Sequence, residues 1–183
     1  MISKNIQKNK GFTLVETLIA VLILSIAIAG PLTIASKGLN AALIAKNQAT
    51  AAFLAQDAME YLRFARDTNR LENQDWLDGP SATDSTTLTQ CESPKTCYLD
   101  STAQNPTFPH ACANSGCDPI SYDATNHIYN YDSAATASIF TRTIELITQA
   151  PNKEILAKVT VSWRDTGGVT RQVVVQENMF NWQ

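Results

Sequence analysis

The sequence has little of what most chemistry needs. It holds only two histidines, His110 and His127. Both lie in polar, loop-like sequence, and no spacing makes them a metal pair or the base of a triad. There is no phosphate-cradling glycine loop and no Gly-x-Ser-x-Gly elbow. With no catalytic set, the expectation is a protein that is not an enzyme and takes no cofactor and no metal. Asp118, Asp123 and Asp132 share one polar stretch and with carbonyls could hold calcium, but they lack EF-hand spacing, and a solvated acidic loop is the plainer reading.

Three absences depend on position. No acid occurs before Gly11, where Lys4, Lys8 and Lys10 make a short basic leader. No charge of either sign occurs from Thr17 to Ser36. At ~1.5 Å per residue such a run, wound as a helix, reaches across a bilayer. No cysteine precedes Cys91. Taking the three leader lysines from the 14 Lys and Arg leaves 11 against 17 Asp and Glu, a net charge of −6. An acidic balance argues against nucleic acid as the main partner, because phosphate binding needs Lys and Arg.

Between the leader and the uncharged run stands Lys10-Gly11-Phe12-Thr13-Leu14-Val15-Glu16-Thr17-Leu18-Ile19-Ala20. It places one acid, Glu16, inside the apolar end. A bare carboxylate there is expensive, and an intramembrane ionisable residue is a functional candidate that needs a partner. Gly11, Phe12, Thr13, Leu14 and Glu16, followed by the apolar run, resemble the N-terminus of type IV pilins and of type II secretion pseudopilins. The likeness covers roughly residues 8–36.

The resemblance implies a leader peptide at 1–11, cleaved by a prepilin peptidase between Gly11 and Phe12, with N-methylation of the new N-terminus at Phe12. It implies that Glu16 of one subunit meets the Phe12 amine of its neighbour in a filament and so sets axial register. It implies a pilin fold of the α+β class, a long N-terminal helix packed on a C-terminal antiparallel meander. The expected location is the bacterial cytoplasmic (inner) membrane, single-pass, with the head outside, and then a pilus or periplasmic pseudopilus. Expected partners are other pilin or pseudopilin subunits, the peptidase, an inner-membrane assembly platform, and lipid before assembly.

The rest of the chain divides by pattern. Residues 12–36 form the transmembrane or filament-core helix. Gly30-Pro31 interrupts it, since proline removes a donor and crowds the preceding turn; a static kink and an unwinding on assembly both remain open. Residues 37–67 continue as an amphipathic helix, with Ala51, Leu54, Ala58, Leu62 and Ala65 at steps of three or four, and Ala55 and Met59 widening the stripe. Residues 49–60 are similar to the same region of some minor pilins and I-type pseudopilins.

Residues 68–137 are loop-rich, with Arg70 and Lys95 as their only bases. So long a stretch needs staples. The positive leader stays in the cytoplasm by the positive-inside tendency, which sends the four cysteines to an oxidising side. Local pairs Cys91–Cys97 and Cys112–Cys117 are favoured, although four cysteines allow three connectivities. A zinc knuckle prefers shorter spacing.

Residues 138–183 turn to strands. The first spans 138–149. In the second, Ile155, Ala157, Val159, Val161 and Trp163 alternate with polar residues, Leu156 being the apolar intruder. Asp165-Thr166-Gly167-Gly168 is turn chemistry, and Val169–Gln176 returns as a third strand. Trp182 either caps this core or belongs to a frayed tail. The functional expectation is a non-catalytic subunit, a minor pilin that primes assembly or decorates the fibre. The alternatives are a pseudopilin, a major pilin, and a tip adhesin or DNA-binding module.

Overall fold

The computed structural model describes residues 11–78, 87–102, 109–114, 116–132 and 134–181. The leader lysines and Trp182 lie outside them. The chain divides into two units, Met1–Ala45 and Lys46–Gln183.

Helix α1 spans Leu14–Leu71. In the first unit its apolar side chains are exposed, Leu14, Leu18, Leu22 and Ile26 each by more than half. Its few hydroxyls turn back onto the helix. Thr17 donates to the Leu14 carbonyl at 2.8 Å, Ser25 to Val21 at 2.8 Å and Ser36 to Leu32 at 3.0 Å. Each hydroxyl is thereby satisfied without water, as an apolar medium requires. The helix runs on through Gly30 and Pro31, where the sequence suggested an interruption. Proline still leaves the Ala27 carbonyl without its usual amide donor. Just beyond it the Thr33 hydroxyl donates to the carbonyls of Gly30, at 2.7 Å, and Ala29, at 3.2 Å.

In the second unit the expected stripe is buried: Ala51, Leu54, Ala55, Ala58, Met59, Leu62 and Ala65. The alanines let the helix lie close to the sheet, while Leu62 contributes about 1.5–3 kcal/mol of apolar burial. The helix passes the expected end near residue 67 and stops at Leu71. Asn73 takes a left-handed φ of 55°. Its amide donates to Arg70 at 3.3 Å, and the Gln74 amide to Asn69 at 2.8 Å. Those two bonds are a Schellman termination, which satisfies carbonyls the helix would otherwise leave open. Asn69, polar in sequence, is fully buried and donates to the backbone carbonyls of Trp76 and Asp78.

Among the described residues the sheet is antiparallel and has seven strands: β1 (Cys97–Tyr98), β2 (His110–Ala111), β3 (Pro119–Asp123), β4 (Ile128–Asn130), β5 (Thr136–Ala150), β6 (Glu154–Arg164) and β7 (Thr170–Phe180). The last three are the expected meander: the turn at 151–153 joins β5 to β6, and an Asp165–Gly168 turn in which Gly168 has φ 79° joins β6 to β7. The far edge of β5 is shared by β3, which carries β4, and by β1, which carries β2. So the sheet extends into the stretch expected to be loop. That stretch also supplies core: Trp76, Leu88, Leu99 and Ile120 are each at most 2 % exposed. In β6 the alternation is complete, with Ile155, Ala157, Val159, Val161 and Trp163 buried.

Candidate functional site

The N-terminal segment begins outside the helix. Gly11, Phe12 and Thr13 precede α1, and Phe12 is 77 % exposed. A Cβ placed on Gly11 would meet no atom within 4 Å, so the chain's own packing makes no demand for glycine there. Thr13 is the N-cap: its hydroxyl accepts the Glu16 amide at 3.2 Å. Thr-x-x-Glu is the spacing of a capping box, with Glu16 at the third helical position, where the amide would otherwise lack a partner. The Glu16 carboxylate therefore stands in the first turn, where the helix dipole favours an anion. It is exposed among the exposed side chains of Leu14, Val15, Leu18 and Ile19.

In the second unit the charged residues hold the helix to the sheet. Arg142 belongs to the inward row of β5, between Phe140 and Ile144, and is 3 % exposed. Its guanidinium donates to the Leu54 carbonyl at 3.0 Å, to Asp57 at 2.9 Å and to the Leu99 carbonyl at 2.6 Å. One side chain thus joins α1, β5 and the chain that follows β1. The Tyr131 ring lies 6.0 Å away. Burial pushes the Tyr131 hydroxyl up to about 12, with Arg142 opposing. The backbone amide of Tyr131 donates to Asp100 at 3.0 Å. Farther along α1, Arg63 reaches Glu177 of β7 through two nitrogens and Glu60 on its own helix. The bond to Glu177 is the chief cause that raises the guanidinium's pKa above its ordinary value.

Two disulfides staple the intervening chain, Cys91–Cys97 and Cys112–Cys117. The first is fully buried in the core and the second partly exposed. Between α1 and β4 lies a groove of about 390 Å³, lined by Thr50, Phe53, Ser101, Ile128 and Tyr129 among others.

The remaining candidates are spread apart. Among the described residues no three His, Cys, Asp or Glu side chains gather as a metal site. The carboxylate of Asp123 accepts from Thr125 and Asn126, whose bonds hold it below the usual carboxylate range. Asp132 accepts from the Ala134 amide. Asp118 lies by Tyr98, whose hydroxyl is raised by burial first and by that carboxylate second. His110 stacks on Tyr98 at 5.3 Å, and His127 meets the Tyr122 hydroxyl at 3.1 Å.

The sequence reading named Thr13 only as a motif residue and not as a helix cap, and it missed Arg142. Thr13 had a signal, the Thr-x-x-Glu spacing ahead of an apolar run. Arg142 had a fainter one, a lone arginine at an inward position of an alternating strand.

Comparison with protein families matches residues 6–30 to the prokaryotic N-terminal methylation motif. No curated protein and no solved structure matches the chain.

Proposed function

From a type IV pilin-like N-terminus, which the motif at residues 6–30 supports, we propose that the chain is a non-catalytic structural subunit of a type IV pilus-like filament. One observation carries most of the weight: the apolar side chains between Phe12 and Ile34 are exposed at every turn of α1. Such a surface requires lipid, or the same surface of other subunits, to cover it. The helix is long and apolar enough to span a membrane. Lipid holds residues 12–36 before assembly, and neighbouring subunits replace it in the fibre.

Cleavage falls between Gly11 and Phe12. Among the described residues nothing crowds a side chain at position 11, so we assign its glycine to recognition by the prepilin peptidase. The new amine at Phe12 and the Glu16 carboxylate are two charges among apolar helices. Pairing between neighbouring subunits offsets much of the several kcal/mol that each would cost alone. The large disulfide-bearing head favours a minor pilin, priming or decorating the fibre, over a small I-type pseudopilin. Residues 49–60 keep the pseudopilin as the second reading.

The test is intact-mass and N-terminal peptide analysis of the protein from its native membrane. The expected mature chain begins at methylated Phe12 and lacks four cysteine protons. A chain that still begins at Met1, in cells whose peptidase is active, refutes the proposal. Scarcity in sheared surface filaments marks a minor subunit, dominance a major one.

A further inference from the structure

Strand β7 is an edge. It pairs with β6 from Thr170 to Phe180 in an unbroken register and, among the described residues, with no other strand. Edge strands are usually blunted by charged side chains, lysine above all, by proline, a bulge or short length; the two charges of β7, Arg171 and Glu177, are each already ion-paired within the head. Thr170-Arg171-Gln172-Val173-Val174-Val175-Gln176-Glu177-Asn178 has no lysine and no proline, and its ladder has no bulge.

The strand is also self-complementary. Counting outward from Val174 in both directions gives valine with valine at 173 and 175, then glutamine with glutamine at 172 and 176. Arginine meets glutamate at 171 and 177, and threonine meets asparagine at 170 and 178. An antiparallel copy of the strand, related by a two-fold axis through Val174, would therefore place like against like at the centre and opposite charges at the flanks. Moving the axis to Val173 or Val175 sets both charges against apolar residues.

The backbone agrees with that axis. At the turn the Asp165 amide donates to the Val169 carbonyl, and at the other end the Asn181 amide donates to the Lys153 carbonyl, each at 2.9 Å. Both fix the odd-numbered residues as those whose peptide groups face β6. By the alternation of an antiparallel ladder, Gln172, Val174 and Gln176 present theirs outward. Val174 can then exchange two hydrogen bonds with its own copy.

The space beside β7 agrees as well. A groove of about 590 Å³ lies between the strand and α1, lined by Phe53, Gln56, Arg63 and Val175 among others. Phe53 stands 71 % exposed. A second strand in this register sets its Val173 next to Val175, against that groove. It also brings the Arg171–Asp165 pair of one copy beside the Glu177–Arg63–Glu60 group of the other. The five side chains then alternate in sign.

We propose that β7 is a docking edge for a second copy of this chain, pairing antiparallel with its β7 about Val174 to make one sheet continuous across two heads. The contact is between heads and requires neither cleavage after Gly11 nor filament growth, so it stands or falls apart from the function above.

The experiment uses the full chain in its native membrane and a short thiol-to-thiol cross-linker. Val174→Cys is expected to give a cross-linked homodimer. Gln172→Cys and Gln176→Cys, each alone, are expected to cross-link at least tenfold less, and to recover when the two variants are co-expressed. All three positions lie on the open face of the strand, so the fold tolerates them. Equal cross-linking at all three positions signifies random collision and overturns the pairing. No dimer at Val174, or a product only with a protein of another mass, overturns it too.

Discussion

The hydroxyl of Thr13 accepts the backbone amide of Glu16, not its carboxylate. The cap and the acid are therefore separable by substitution. Thr13→Ala removes the cap at a cost of about 1 kcal/mol, local to the first turn. Hydrogen exchange at the Glu16 amide in detergent should quicken about fivefold, and Thr13→Ser should restore it.

Glu16→Ala leaves the capped amide in place. Cleavage after Gly11 should proceed as before. The fraction of the protein recovered in sheared filaments, relative to membrane, should fall about tenfold or more, which corresponds to about 1.4 kcal/mol or more of lost pairing. Normal incorporation of this variant would remove the register role from Glu16.

Arg142 and Asp57 form one ion pair but are not equal partners. Arg142 is 3 % exposed and serves two backbone carbonyls as well, while the Asp57 side chain is 47 % exposed. Arg142→Ala leaves the Leu54 and Leu99 carbonyls without this donor and should cost about 3 kcal/mol. Asp57→Asn keeps an amide oxygen as acceptor but takes the counter-charge from the buried guanidinium, and should cost less, about 1–2 kcal/mol, because water screens the Asp57 side of the pair. Denaturant unfolding of the detergent-solubilised chain measures both.

The two disulfides differ in access. Cys112–Cys117 is partly exposed, whereas Cys91 and Cys97 have no exposed surface. Graded dithiothreitol followed by alkylation and peptide mass analysis should open Cys112–Cys117 first. Replacing Cys91 and Cys97 together by serine should destabilise the head by about 2 kcal/mol through loop closure alone.

Asp165 supplies a pH dependence. Its carboxylate accepts from Arg171, from the Val169 amide and from the Gly167 amide, and Arg171 is the largest cause of its lowered pKa. A carboxylate depressed in the folded state stabilises above its unfolded value, about pH 4, and loses that contribution as pH falls through the folded value. Asp165→Asn should therefore be less stable than the parent at pH 7. The gap should narrow below about pH 4 and close at lower pH, as followed by unfolding midpoints.

Local periodicity made the helix stripe from Ala51 to Ala65 and the alternation of β6 legible in the sequence, because each residue's burial there follows from its own element. The short strands from Cys97 to Asn130 were not legible. A strand of two residues such as Cys97–Tyr98 exists because β5 offers it an edge, and no local pattern records that. Trp76, Leu88, Leu99 and Ile120 lie in apolar islands too short to show a period, so only the assembled sheet reveals them as core. At the N-terminus the motif residues were visible, and the capping bond was encoded in the same letters. The roles proposed for Gly11, Phe12 and Glu16 involve molecules outside this chain.

Arg142 with Leu54 and Asp57, Arg63 with Glu177, and Arg70 with Asn181 at 3.0 Å tie α1 to β5, to β7 and to the chain just past β7. They are rungs spaced along one helix. A pull on α1 along its axis loads these rungs in shear, several at once, instead of peeling them one after another. Within the second unit an axial load on the helix is thus shared among three ties instead of resting on one.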